Sequence, residues 1–246
     1  MGISVAEFFA RADALPFADL STLIGEGGAL IVAPHPDDES LGCGGLLALC
    51  AEANRAAHVA IVSDGTGSHP NSKAYPYDAL RELREREAVA AVSALGLPSG
   101  QLTFLRLRDR FVPPDGAEAE AAIGQLVEMA RAIDASAVFV TWRHDPHGDH
   151  QASFRLAREA ARRAGNLQLF EYPIWGHTLA ADVEIEVEPR GRRLDISAVL
   201  HRKLAAIAAH RSQVTPMIED DPDGVMLSRE MIARFERPFE VFLEEA

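Results

Sequence analysis

Residues Ala29-Leu30-Ile31-Val32-Ala33 run into Pro34-His35-Pro36-Asp37-Asp38-Glu39-Ser40, and Leu41-Gly42-Cys43-Gly44-Gly45 then opens a helical pattern that lasts to Ala53. A short unbroken apolar run closed by proline reads as a strand buried on both faces. A strand, a polar turn and a helix make the first half of a βαβ unit, whose ligand site lies beyond the carboxyl end of the strand. The same rhythm continues in both spacing and composition. Val59 to Ser63 precedes a helix from Asp78 to Leu95, and Leu102 to Leu107 precedes a helix around Glu118 to Ile133. Ala137 to Trp142 precedes a helix from about His150 to Ala164, and Leu167 to Tyr172 follows. Right-handed crossovers turn this order into a mostly parallel sheet flanked by helices, an α/β fold of three layers.

Beyond Tyr172 the pattern loosens, with a strand expected at Val183 to Val187 and an amphipathic helix from about Asp195 to Ala209. No repeat or Gly/Ser linker divides the chain, so residues 1–246 read as one domain. The 246 residues are 48% apolar and 25% charged, which excludes disorder and collagen. No segment reads as a membrane span, an anchor or an export signal. A formal charge of −13 argues against nucleic acid or an anionic membrane as partner. The two cysteines, Cys43 and Cys50, share one helix and form no disulfide framework, so the cytoplasm is the expected location.

The charged turn after Ala33 carries the first chemistry. His35 and Asp38 can aim nitrogen and oxygen at one cation such as zinc, leaving Asp37 between them free for proton transfer. Acidic residues at a helix start also complement its dipole, but that role requires neither the histidine nor the paired prolines. A dinucleotide loop fails on spacing, because Leu47 stands where its third glycine belongs. The second cluster, Arg143-His144-Asp145-Pro146-His147-Gly148-Asp149-His150, also follows a strand. In one parallel sheet the two clusters converge, and His150 completes a set of two histidines and one carboxylate with room for water. Asp149 is suited to hydrogen-bond His147 and fix its tautomer.

These residues resemble the PIG-L family, also called LmbE-like deacetylases. The likeness spans about residues 29 to 213, with 214 to 246 as a C-terminal extension of the same domain. It includes Arg84-Glu85-Arg86-Glu87 with Ala91 to Gly96, and Lys203 to Gln213. It implies a Rossmann-like fold and a metal-dependent N-deacetylase acting on an N-acetylated amino sugar or glycoconjugate. By resemblance His35, Asp38 and His150 hold the metal, Asp37 is the general base, and His147 with Asp149 handles protons. Zinc is the expected ion, and iron(II) or another divalent cation suits the same donors.

Two positions depart from the family pattern. His69, in Ser63-Asp64-Gly65-Thr66-Gly67-Ser68-His69, stands where many members carry an arginine, and Asp145 stands where some carry a tyrosine. Asp64, His69, Asp145 and His210 are the candidate substrate contacts. A phosphoesterase at the same site and a non-catalytic metal-bearing binding module are the alternative functions. Glu219 to Glu230 approaches a calcium-loop spacing, but Pro216 and Pro222 interrupt it, so the segment reads as an acidic surface loop, one that could line the entrance.

Overall fold

The structure, a computed structural model, describes residues 2–245. In chain order it runs β1 (Ile3–Ser4), α1 (Val5–Ala12), β2 (Phe17–Ala18), α2 (Leu20–Ile24), β3 (Gly28–Ala33), α3 (Asp38–Glu52), β4 (Ala57–Ser63) and α4 (Tyr77–Ala94). It continues with β5 (Leu102–Leu107), α5 (Gly116–Ala132), β6 (Ala135–Thr141), α6 (Gly148–Gly165) and β7 (Gln168–Tyr172). The last part holds β8 (Glu184–Ile185), β9 (Gly191–Asp195), α7 (Leu200–Ala209), α8 (Arg211–Val214), α9 (Arg229–Ala233) and β10 (Phe239–Glu244).

Eight strands form one sheet in the order β2-β9-β10-β7-β6-β3-β4-β5, while β1 and β8 pair separately. Strands β3 to β7 are parallel to their neighbours in that set, and β10 is antiparallel to both β7 and β9. The strands alternate between two cores. Ala29, Ile31 and Ala33 face one core with Phe139 and Ile61, whereas Leu30 and Val32 face the other with Val138 and Val62. Burial on both faces is why these strands are continuously apolar rather than alternating.

Helix α3 is buried along nearly its whole length, and its glycines are there for close packing. A Cβ at Gly42 would lie 2.1 Å from the Tyr172 ring, and one at Gly45 would lie 2.3 Å from Ile196. The glycine-rich segment therefore admits neighbouring side chains against the helix.

Two expectations need correction, and one segment left unassigned finds its place. The helix expected from Asp195 begins at Leu200, because the preceding residues form β9 between β2 and β10. The strand expected over Val183 to Val187 shrinks to Glu184–Ile185, which pairs with β1 outside the main sheet. The segment after His210 contributes β10, an interior strand of the main sheet. No helix among the described residues is long and apolar enough to cross a membrane.

Candidate active site

The sheet order reverses between β3 and β6: the chain leaves β3 towards β4 and β5 on one side, and β6 leads to β7 on the other. Such a switch point opens a crevice at the carboxyl ends of the two strands. The turn after β3 and the turn after β6 both empty into it, bringing together residues more than a hundred positions apart.

His35, Asp38 and His150 meet there as a triangle. His35 Nδ1 lies 3.3 Å from Asp38 Oδ2, His150 Nε2 lies 3.3 Å from the same oxygen, and the two ring nitrogens are 3.3 Å apart. A point equidistant from three such corners is about 1.9 Å from each, close to the bond lengths that zinc makes to nitrogen and oxygen. The outer ring nitrogens are also engaged. His150 Nδ1 sits 2.9 Å from Asp145 Oδ2, and His35 Nε2 sits 3.2 Å from both Asp109 Oδ1 and Asp149 Oδ2. Carboxylates placed behind histidine rings in this way fix their tautomers and raise their basicity, an arrangement that suits metal ligands.

The electrostatics favour a cation. Burial opposes charge on His150, yet Asp38 and Asp145 lift its pKa to about 9. Burial likewise opposes charge on His35, and Asp109, Asp149 and Asp38 hold it well above the ordinary histidine value. Asp38 resists its own burial because His150 and His35 keep it far below the usual carboxylate range. The residues present therefore fit a divalent ion in charge, donor type and spacing.

Asp37 stands beside the triangle and lines the cavity. Burial, with Asp38 adding to it and the Arg84 guanidinium opposing, pushes its pKa up to about 7. Its backbone takes φ 136°, a region that side chains rarely enter. Three bonds brace it: Asp37 N donates to Glu39 Oε2 at 3.0 Å, and Arg84 Nη2 reaches Pro36 O at 2.6 Å and Asp37 Oδ2 at 3.4 Å.

His147 caps α6, its Nδ1 accepting the backbone N–H of Asp149 at 3.2 Å. The neutral ring then carries its proton on Nε2. Burial and the positive rings of His35 and His150 drive its pKa down to about 4, so the neutral form prevails near pH 7. The Asp149 carboxylate does not orient His147 as expected. Its oxygens accept the N–H groups of Arg110 at 2.6 Å and Val112 at 3.1 Å, and Oδ2 faces His35.

The crevice holds a cavity of about 390 Å³, within the range of small-ligand sites. The four candidate substrate contacts lie outside its lining, and each has a physical reason. Asp145 is fully buried, accepting the N–H groups of Ile174, Trp175 and Gly176 besides holding His150. His210 is buried against Glu39 at 2.9 Å. Asp64 is occupied by Thr66 and the Tyr77 hydroxyl. His69 is covered by Gly224, where a Cβ would approach its ring to 2.1 Å. Arg84, Asp109, Arg110, Trp175 and Gln213 line the cavity instead. The acidic loop acts as a clasp: Asp220 accepts Ser72 Oγ and the N–H groups of Lys73 and Ala74, Asp221 accepts Asn71 N, and Val225 reaches the cavity wall.

The class defined here is an α/β protein whose mostly parallel sheet carries, at its switch point, a two-histidine, one-carboxylate group that could hold a metal ion. The PIG-L family, described as GlcNAc-PI de-N-acetylase, matches residues 30–161, and the chain belongs to it. A 2'-N-acetylparomamine deacetylase of Streptomyces fradiae is 31% identical over 222 residues, covering 80% of this chain and 77% of that protein. The N,N'-diacetylchitobiose deacetylase of Pyrococcus horikoshii superposes with a TM-score of 0.64 at 19% identity, over 88% of this chain and 82% of that one. A 4-carboxy-2-hydroxymuconate hydratase from Pseudomonas putida superposes at 0.61 with 23% identity, over 85% and 82%. These two neighbours are named for different reactions, so the fold alone does not set the chemistry.

Proposed function

We propose that the chain is a zinc-dependent N-deacetylase that hydrolyses the acetamido group of an amino sugar or related glycoconjugate. The observation that carries this reading is the 3.3 Å triangle of His35, Asp38 and His150 with the Asp37 carboxylate beside it in one cavity. Two nitrogens and one oxygen suit zinc with positions left open, and the family and the S. fradiae relative supply the acetyl-amide chemistry. A bound divalent ion supplies a water of lowered pKa and polarises the acyl carbonyl.

The chain's own residues do the rest. Asp37, with a pKa near neutrality, takes a proton from the attacking water and returns it to the departing amine. His147 is neutral and presents Nε2–H, so it acts as a hydrogen-bond donor to the acyl oxygen as negative charge develops there. Asp149 and Asp109 hold His35, and Asp145 holds His150. Buried free thiols at Cys43 and Cys50 are compatible with a reducing compartment such as the cytoplasm.

The test is acetate release from a panel of N-acetylated amino sugars by zinc-loaded protein, with Asp37→Asn as control. Release by the unaltered protein alone supports the reading. Phosphate release from sugar phosphates without acetate release replaces it with phosphoester hydrolysis at the same site.

A further inference from the structure

We infer that Arg110 is an anion anchor at the cavity, selecting substrates that carry a carboxylate or phosphate on the part of the molecule beyond the acetamido group. The inference deepens the deacetylase reading and rests on it. Four carboxylates and two guanidiniums line the cavity: Asp37, Asp38, Asp109 and Asp149, with Arg84 and Arg110. Arg84 is buried and its charge is committed within the protein, to Pro36 O, Gly65 O and Asp37. Arg110 is different. Among the described residues its guanidinium makes no ion pair or hydrogen bond, and the residue is bonded only through its backbone N–H.

The backbone shows that this placement is held rather than incidental. Arg110 takes φ 67°, a left-handed conformation that costs a non-glycine residue free energy. Two groups maintain it. The Asp149 carboxylate pins the N–H of Arg110 at 2.6 Å and that of Val112 at 3.1 Å. Gly67 leaves space for the arginine stem, since a Cβ there would approach Arg110 Cγ and Nε to 2.9 Å. The same Asp149 oxygen lies 3.2 Å from His35 Nε2, so one carboxylate fixes the backbone from which Arg110 projects relative to the triangle of His35, Asp38 and His150. Arg110 is exposed at the cavity rim, where its guanidinium is open to a ligand entering from solvent.

The chemistry selects the ligand class. An anionic substituent is repelled by the carboxylates elsewhere in the lining, whereas the planar fork of a guanidinium matches carboxylate or phosphate in two parallel hydrogen bonds. The substituent therefore docks at Arg110 while the acetamido group reaches the triangle.

The experiment titrates three ligands into zinc-loaded Asp37→Asn protein by calorimetry, with and without Arg110→Gln. N-acetylglucosamine 1-phosphate supplies phosphate, N-acetylmuramic acid supplies carboxylate, and methyl N-acetylglucosaminide is the neutral reference. At low salt at least one anionic ligand should bind about tenfold more tightly than the neutral one, and Arg110→Gln should abolish that ratio. Which anion shows the preference identifies the source. Equal affinities for charged and neutral ligands, an unchanged ratio after substitution, or no binding of either anion overturns the anchor. Acetate release by protein retaining Asp37 is measured in parallel. Release with a flat binding ratio sinks the anchor alone, and an Arg110-dependent ratio without release from any ligand sinks the deacetylase reading alone.

Discussion

The Glu39 carboxylate accepts the backbone N–H of Asp37 at 3.0 Å, bracing the residue proposed as general base in a conformation of φ 136°. Glu39 is itself fully buried, held from behind by His210 at 2.9 Å and by Ser40 Oγ at 2.6 Å. A carboxylate buried at such cost is explained by what it positions. Glu39→Gln keeps an oxygen acceptor for Asp37 N and should retain most activity. Glu39→Ala removes the brace and should lower kcat by about 10²-fold with little change in KM, the scale of loss expected from misplacing a reacting group. Steady-state kinetics on both variants, at matched metal content, checks this. Equal losses in the two would assign Glu39 to folding alone.

Asp145 lies 2.9 Å behind His150, a proposed metal ligand. Asp145→Asn keeps its size but weakens the 2.9 Å contact to His150 Nδ1, and metal affinity should fall about 10- to 100-fold. Competition with a zinc chelator measures this directly. Unchanged affinity would mean that Asp145 serves only the N–H groups of Ile174, Trp175 and Gly176.

The pH profile follows from Asp37. Burial raises its pKa to about 7, and the group works as a base only when ionised, so kcat/KM should fall as pH drops through that limb. A divalent ion nearby stabilises the carboxylate and places the limb at or below that value. Arg84 pulls in the same direction, so Arg84→Gln should move the limb upward. A flat acid limb, or one that moves down on removing Arg84, would contradict the assignment.

Packing at α3 makes a separate prediction about stability. Gly45→Ala would put a methyl 2.3 Å from Ile196 in a fully buried helix face. Overpacking of this kind costs about 1–3 kcal/mol. Urea unfolding followed by circular dichroism should show a lowered midpoint. An unshifted midpoint would mean that Ile196 moves freely, contrary to its full burial.

The βαβ framework was legible because strands buried on both faces leave unbroken apolar runs such as Ala29 to Ala33. Strand β9, Gly191–Asp195, was not, because Gly-Arg-Arg-Leu-Asp has no apolar run and owes its conformation to partners far away in sequence. The convergence of His35, Asp38 and His150 followed from their positions at strand ends. The partner of Asp149 did not, because it depends on a loop at Arg110 and Val112 that closes onto α6 from nearly forty residues upstream. Burial of Asp145 and His210 was hidden for the same reason: a polar side chain enters a core only when distant groups satisfy it. Arg84 belongs to the family-like segment, yet its place at the site carries a further signal in the helix pattern. It lies with Leu80, Leu83, Glu87, Ala88 and Ala91 on the buried stripe of α4, where a charged residue at core spacing marks a bonded role.

The central claim is that a divalent ion and Asp37 together hydrolyse an acetyl amide. The most direct measurement is acetate release from N-acetylated amino sugars by three samples: the unaltered protein chelated, the same protein zinc-restored, and zinc-loaded Asp37→Asn. The account predicts release only in the restored protein, with the Asn variant holding as much zinc and turning over at least about 10²-fold more slowly. Equal release by chelated and restored protein, or full turnover by the Asn variant, would contradict it.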